Sequence, residues 1–329
     1  MIKQKIIEAP NYIIELEDYI KFITLLKETG KFVPKLNILK SEKIQKMVRA
    51  AGNLAFNKYI NLIKEAVNQR DLGISSLDVP TNDNMSTNEN AFWGALSLLS
   101  ISLNLFLPIQ DSLNNTPFTV YNASKENEKI LSSEALLFYS PEAKLGFHND
   151  GGISATEVFL PKYLMIYNLF IGYKNPGNFY FVPSSLWKDK KYFSEIIGID
   201  REFNISITPI IYRNQDATVL TNKTRKLTLP IFKKLENQEL YVFLNGDIIS
   251  STEGNELNNA IMDNMKQSIS NNEVRYSVLQ KMRRGIFVDN TLGFHARDIF
   301  SEPLEGINIT RSFIRSIDSQ GITMKQNVQ

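Results

Sequence analysis

The chain contains only two histidines. His148 opens the triplet His148-Asn149-Asp150, and His295 follows the run Gly285-Ile286-Phe287-Val288-Asp289-Asn290-Thr291-Leu292-Gly293-Phe294. Two imidazoles and one carboxylate can hold three positions of an octahedron and leave the rest open, which is the facial set of non-haem Fe(II) chemistry. On an extended strand, residues two apart project from one face, so His148 and Asp150 could reach one ion while Asn149 points away. The spacing alone is weak evidence. With 35 acids among 329 residues, any histidine has about a one-in-ten chance of an acid two positions on. A histidine hydrogen-bonded to a neighbouring aspartate is the plainer reading of such a triplet.

Two arginines alter that balance. Arg311 and Arg315 follow His295 in Thr310-Arg311-Ser312-Phe313-Ile314-Arg315. Residues four apart on a strand share a face, and a guanidinium can grip a carboxylate through two parallel hydrogen bonds. Paired arginines on the inner face of a β-barrel are costly without an anionic ligand. Alone, such a pair near a C-terminus reads as a solvated edge. Beside the histidines and the acid, it reads as an anion site.

These residues need a scaffold, and the rest of the chain is built to provide one. At 329 residues with 43% hydrophobic and 22% charged content, it can bury a sizeable core. The first third reads as helical, with an amphipathic helix over 41–65 and an apolar one over 91–107 that stops at Pro108. The stretch 71–84 is rich in turn residues. Short β-favouring runs follow at 116–121, 136–139, 163–173, 179–182, 205–212, 217–220, 241–244, 284–288 and 312–317, with a helix over 255–270 among them. Helices followed by many short strands predict an α+β chain that is mainly β, a sandwich or jelly roll buttressed by N-terminal helices. No domain boundary is visible. A single domain over 1–329 is expected, its helical part over 1–110 and its β core with inserts over 111–329.

Composition narrows the function. The 37 basic residues nearly balance the 35 acidic ones, which gives no electrostatic reason to expect nucleic acid or an anionic membrane as partner. The absence of cysteine excludes disulfides, thiolate metal sites, iron–sulfur clusters and thiol nucleophiles. The N-terminus lacks a secretory signal pattern, and the apolar run at 91–107 carries Gly94, Ser97, Ser100, Ser102 and Asn104, so it reads as a buried helix. A cytoplasmic protein acting on a small molecule is expected. The sequence leaves its oligomeric state open.

Taken together, the motifs resemble the Fe(II)/2-oxoglutarate-dependent oxygenases of the TauD/TfdA, clavaminate synthase-like superfamily. The resemblance spans about residues 131–317. It rests on Phe147-His148-Asn149-Asp150, Val288-Asp289-Asn290, Phe294-His295-Ala296-Arg297 and Arg311. It implies a double-stranded β-helix core, iron bound by His148, Asp150 and His295, and 2-oxoglutarate and O2 as co-substrates. Arg311 would grip the distal carboxylate of 2-oxoglutarate, with Arg315 supporting that grip or meeting the primary substrate. Arg297 would brace the site.

The same resemblance makes Asp247, near Asn245, a substrate contact. The family threonine that helps hold 2-oxoglutarate is missing, and Asn178 stands in that region. The amino-acid branch often has a glutamine upstream of the first histidine, where this chain reads Thr116-Pro117-Phe118-Thr119-Val120-Tyr121. The implied reaction is hydroxylation of a C–H bond in an amino acid or biosynthetic intermediate, with release of succinate and CO2. The retained Asp150 favours hydroxylation or desaturation over halogenation. The rival readings are an inactive jelly-roll binding protein that has kept the site, and a metal-dependent hydrolase, which two histidines leave little room to supply with a separate base.

Overall fold

The computed structural model describes residues 4–29, 35–112, 114–126, 140–154, 156–207, 210–213, 216–220, 225–236, 239–242, 249–250 and 256–325. Asn245, Asp247 and the strand expected at 136–139 lie outside these residues. Three helices, α1 (Leu16–Lys27), α2 (Glu42–Asn68) and α3 (Thr87–Leu105), occupy the N-terminal part. The strands that build the site are β1 (Lys5–Glu8), β2 (Asn11–Ile13), β3 (Ile74–Asp78), β4 (Thr119–Ser124), β5 (Leu145–His148) and β6 (Tyr163–Ile171). They continue with β7 (Asn178–Pro183), β8 (Val274–Leu279), β9 (Arg284–Asp289), β10 (Gly293–Arg297) and β11 (Ile309–Ile317).

Helix α3 begins earlier than its apolar run because Ser86 and Glu89 form a reciprocal cap: the Ser86 hydroxyl accepts from Glu89 N, and the Glu89 carboxylate accepts from Ser86 N. The helix is buried on nearly every side. Its serines cost little there, because Ser97, Ser100 and Ser102 donate to carbonyls one turn back. Helix α2 crosses it at Gly52, where a β-carbon would come within 2.6 Å of Ser100 Oγ. Phe22, Phe56, Val48 and Ile63 join Leu96 and Leu99 in the core between the helices.

A six-stranded mixed sheet, in the order β2-β3-β9-β6-β11-β4, receives these helices on its outer face. Met165, Tyr167, Phe287 and Ile314 are its contribution to that core. Alternation then turns Ile166, Asn168, Ile286, Val288, Arg311, Phe313 and Arg315 to the opposite face. Ile286 and Val288 meet Phe179, Phe181 and Val278 of the five-stranded sheet β1-β8-β7-β10-β5. The two inner faces enclose both an apolar layer and the residues singled out for chemistry. A third apolar cluster, from Trp187, Phe203, Leu229 and the helix Glu256–Ser270, packs behind β10 through Phe294 and Ala296.

Three elements depart from expectation. The turn-rich stretch 71–84 contains the buried strand β3, second from the edge of its sheet and paired antiparallel with β9 and parallel with β2. Ser75 and Ser76 interrupt its apolar run and hide it. Strand β10, which carries His295, lies in a stretch without a recognised β pattern, and Gly293 is required there because a β-carbon would sit 2.3 Å from Val182 O. The first 110 residues are not helical throughout, since β1, β2 and β3 join both sheets. No helix among the described residues is long and apolar enough to cross a membrane.

Candidate active site

Strands β5 and β10 pair antiparallel with His148 directly opposite His295. Cross-strand partners project from the same face, which brings the two rings to 4.2 Å between centroids. Beyond His148 the chain leaves the strand. The Asn149 amide turns away from the rings and donates to the carbonyls of Asn290 (3.1 Å) and Gly293 (2.7 Å). Asn290 in turn clasps the next residue from both sides, its Oδ1 accepting from Asp150 N (2.8 Å) and its Nδ2 donating to Asp150 O (2.9 Å). The carboxylate is thereby set 3.6 Å from His148 Nε2 and 3.8 Å from His295 Nε2. One ligand atom from each of the three residues lies within 4.8 Å of the others.

The donor set suits a divalent metal with open positions. His148 Nδ1 bonds Gly146 O at 2.8 Å, which leaves Nε2 to face Asp150. His295 is held by packing instead: its ring stacks on Phe179 at 5.5 Å, and its Nδ1 is buried without a partner. Burial, reinforced by His148, lowers its pKa to about 3, which keeps the imidazole neutral as a metal ligand must be. Burial pushes the Asp150 carboxyl up, but Arg315 and the two histidines outweigh it and hold it well below the usual carboxylate range.

The two arginines differ sharply in their partners. Arg315 Nη1 donates to Asp150 Oδ2 at 3.2 Å and Nη2 to the Tyr121 hydroxyl at 2.6 Å. Arg311, 5% exposed, gives Nε to Asn168 Oδ1 (3.1 Å) and Nη2 to Gln280 Oε1 (3.3 Å). Among the described residues it pairs with no carboxylate. Its guanidinium lies over the rings of Phe313 (4.2 Å) and Phe300 (4.9 Å), and the Arg297 guanidinium also lies over Phe300 at 5.3 Å. Burial, then the charge of Arg297, lowers the Arg311 pKa well below its ordinary value. A buried guanidinium with no carboxylate partner among the described residues leaves its charge uncompensated there.

The other residues named from sequence separate clearly. Arg297 donates to the carbonyls of Ser140, Pro141 and Ala143 and so ties down the segment leading into β5. Asn178 is not brought to the triad: its amide donates to Tyr180 O–H, and its N–H to Asp298, on the face of β7 opposite Phe179. Sequence reasoning missed Asn290, Tyr121, Asn168, Gln280 and the Asn149 clasp. Only Asn290 left a signal, because it sits in the Asp289-Asn290 motif. The others are recognisable only once strand register is known.

No protein-family model matches the sequence, and no curated protein matches it. Solved structures do. The non-heme iron oxygenase OrfP, in complex with Fe and alpha-ketoglutaric acid, aligns over 94% of each chain at 11% identity and a TM-score of 0.65. OrfP in complex with Fe and L-Arg aligns over 94% of each chain at 12% identity and 0.60. An asparagine oxygenase with Fe(II), 2S,3S-3-hydroxyasparagine and succinate aligns over 94% of this chain and 93% of its own, at 11% identity and 0.62. The chain has the fold of these iron oxygenases over nearly its whole length, with His148, Asp150 and His295 gathered between its two sheets.

Proposed function

We propose that this protein is an Fe(II)- and 2-oxoglutarate-dependent dioxygenase that hydroxylates a C–H bond of a small molecule, with an amino acid as the leading substrate class. The observation that carries the reading is the cluster of two imidazoles and one carboxylate, set between sheets whose fold matches solved non-heme iron oxygenases. The amino-acid ligands of those structures support the substrate class. The paired sheets are consistent with a double-stranded β-helix in a single oxygenase domain, and we place the enzyme in the cytoplasm.

His148, Asp150 and His295 would hold the iron and leave its remaining positions for co-substrate and O2. When bound, the iron with 2-oxoglutarate supplies oxidising power, with succinate and CO2 as the by-products. The chain's own part is binding and orientation. Asn290 and Gly146 O fix the Asp150 and His148 ligands, and Phe179 fixes the His295 ring. Arg311 anchors the distal carboxylate of 2-oxoglutarate, while Arg315 orients the Asp150 carboxylate and presents charge to the primary substrate. The layer of Phe179, Phe181 and Ile286 excludes water from one side. All three ligands are present, which favours an active enzyme over a scaffold that has kept the shape.

The test is anaerobic addition of Fe(II) and 2-oxoglutarate, watching for a weak visible charge-transfer band, followed by a screen of amino acids for succinate release. A protein that binds neither iron nor 2-oxoglutarate sinks the reading.

A further inference from the structure

Gly94 of α3 leaves a gap against the outer face of the six-stranded sheet, on the side away from the metal ligands. The point where its β-carbon would stand lies 3.0 Å from the Tyr167 hydroxyl, 3.5 Å from Arg283 Nη1 and 3.7 Å from Arg283 Cζ. Alanine is the best residue for a helix interior and glycine a poor one, so the gap is kept at a cost. Tyr19 of α1 and Tyr167 of β6 are both buried. The Tyr19 hydroxyl has no hydrogen-bond partner, and the Tyr167 hydroxyl forms no hydrogen bond among the described residues. Burial raises the pKa of both phenols, and Arg283 offsets part of that rise. Each therefore keeps its proton and remains a donor.

Arg283 supplies the second, independent observation. Its backbone lies in the left-handed region at φ 65°, which is strained for any residue with a bulky side chain. Its guanidinium reaches the start of α3, where Nε donates to Val79 O (3.0 Å), Nη1 to Asn90 O (3.0 Å) and Nη2 to Pro80 O. Of its five N–H groups, one on each Nη is left over. No carboxylate pairs with its charge among the described residues. The gap is thus lined by donors and a cation. Water would accept from two donors but bring two hydrogens of its own, and the carbonyls beside it are already engaged by Arg283. A monatomic anion only accepts, and it balances the charge. The space is that of one absent side chain, which suits a single ion better than a carboxylate or a phosphate.

We propose that Gly94, Tyr19, Tyr167 and Arg283 form a halide site, in which chloride sits beneath α3 and pins α1 and α3 to the six-stranded sheet. Arg283 is only partly buried, so the ion exchanges with solvent past its side chain. The site acts on the stability of the helical layer and takes no part in the chemistry at the metal ligands.

The experiment is a thermal melt of the full chain in sodium chloride, bromide or gluconate at equal ionic strength, paired with anomalous diffraction from crystals soaked in bromide. Chloride and bromide should raise Tm saturably, by about 2–4 °C at tenfold the Kd, and gluconate should not. Bromide should give an anomalous peak between the two hydroxyls and Arg283. Gly94→Ala places a methyl group in the gap and should abolish the halide effect while folding normally, since alanine favours the helix. Tyr19→Phe removes the unpartnered donor. It should melt at or above the parent in gluconate yet lose most of the rise in halide. Equal melting of the parent in chloride and gluconate overturns the proposal. So does a halide effect that survives in both variants, which places the ion elsewhere, and so does density in the gap without an anomalous signal, which marks a bound water.

Discussion

Arg315 and Asp150 form an ion pair of 3.2 Å in which the acid is the residue that also faces both histidines. The arginine is therefore part of the metal carboxylate's setting and cannot be described as a substrate contact alone. In Arg315→Ala, Asp150 loses a counter-charge inside a largely buried site. We expect the concentration of primary substrate needed for half-maximal succinate release to rise about tenfold to a hundredfold, the worth of one charge-assisted bond. The 2-oxoglutarate requirement should change far less. The reverse ranking would exchange the roles of the two arginines.

Removing a ligand should separate metal binding from folding. His148→Ala and His295→Ala take away donors of an open site, while the apolar layers of both sheets remain. We expect Mn(II) or Fe(II) affinity to fall by about a hundredfold or more, as loss of a whole ligand exceeds the 10–100-fold typical of outer-shell changes. Metal titration and a thermal melt of the metal-free variants check this. A His295→Ala protein that still couples 2-oxoglutarate turnover to product formation removes the triad from the mechanism.

Arg311 offers a test in the opposite direction. A buried cation without an acid lowers stability, and apolar replacement of such groups is often neutral or stabilising. Arg311→Met should therefore melt at or above the temperature of the parent protein when ligand-free, yet need about tenfold to a hundredfold more 2-oxoglutarate. Arg311→Lys should not restore the parent requirement, because an ammonium cannot reproduce the fork. Loss of stability with no change in co-substrate requirement would mean that the arginine is only structural.

Asn290 holds the Asp150 backbone from both sides and touches no ligand atom. Asn290→Ala should weaken metal binding about 10–100-fold, the usual effect of an outer partner. It also loses a bond to Pro161 O, so a stability cost of about 1–3 kcal/mol is expected from the groups left unpaired. Metal affinity that stays level while stability drops would show that Asp150 is placed by other contacts.

Asp289 gives the fold a pH dependence of its own. Burial pushes its carboxyl up to about 6, against the bonds from Thr291, whereas an unfolded aspartate titrates near 3.9. The folded state holds this proton more tightly, so the group's contribution is fully present below about pH 4 and is lost as pH rises through about 6. Asp289→Asn should flatten that part of the stability profile and gain up to about 3 kcal/mol on the parent at neutral pH. Urea midpoints at pH 4 and pH 7 provide the measurement.

How much of this was legible beforehand depended on whether a residue's role is local. The helices at 41–65 and 91–107 follow from apolar spacing and from an apolar run, and the structure sets them at Glu42–Asn68 and Thr87–Leu105. The triad was visible because histidine is scarce here and because its motifs repeat a known pattern. Strand β3 was not visible: Ser75 and Ser76 sit in a sheet buried on both faces, Ser76 bonded to Asn11 and Ser75 without a partner, a setting that local alternation does not encode. Asn168 and Gln280 were invisible for the same reason, since an amide gains meaning only from the cation that register places beside it. Asn178 was misleading because distance along the chain says nothing about which face of β7 a side chain occupies.

A continuous run of planar groups joins the two arginines of β11. Arg311 lies over Phe313, Phe313 stacks on Tyr121 at 4.9 Å, and Arg315 lies over Tyr121. The two cations are therefore spaced by ring thickness as well as by backbone, and with the roles proposed for them the run would work as a ruler between the anchoring points of two different molecules. A change of ring at Phe313 or Tyr121 would reset that ruler at both ends at once, altering which pairs of ligands fit together without removing a single charge.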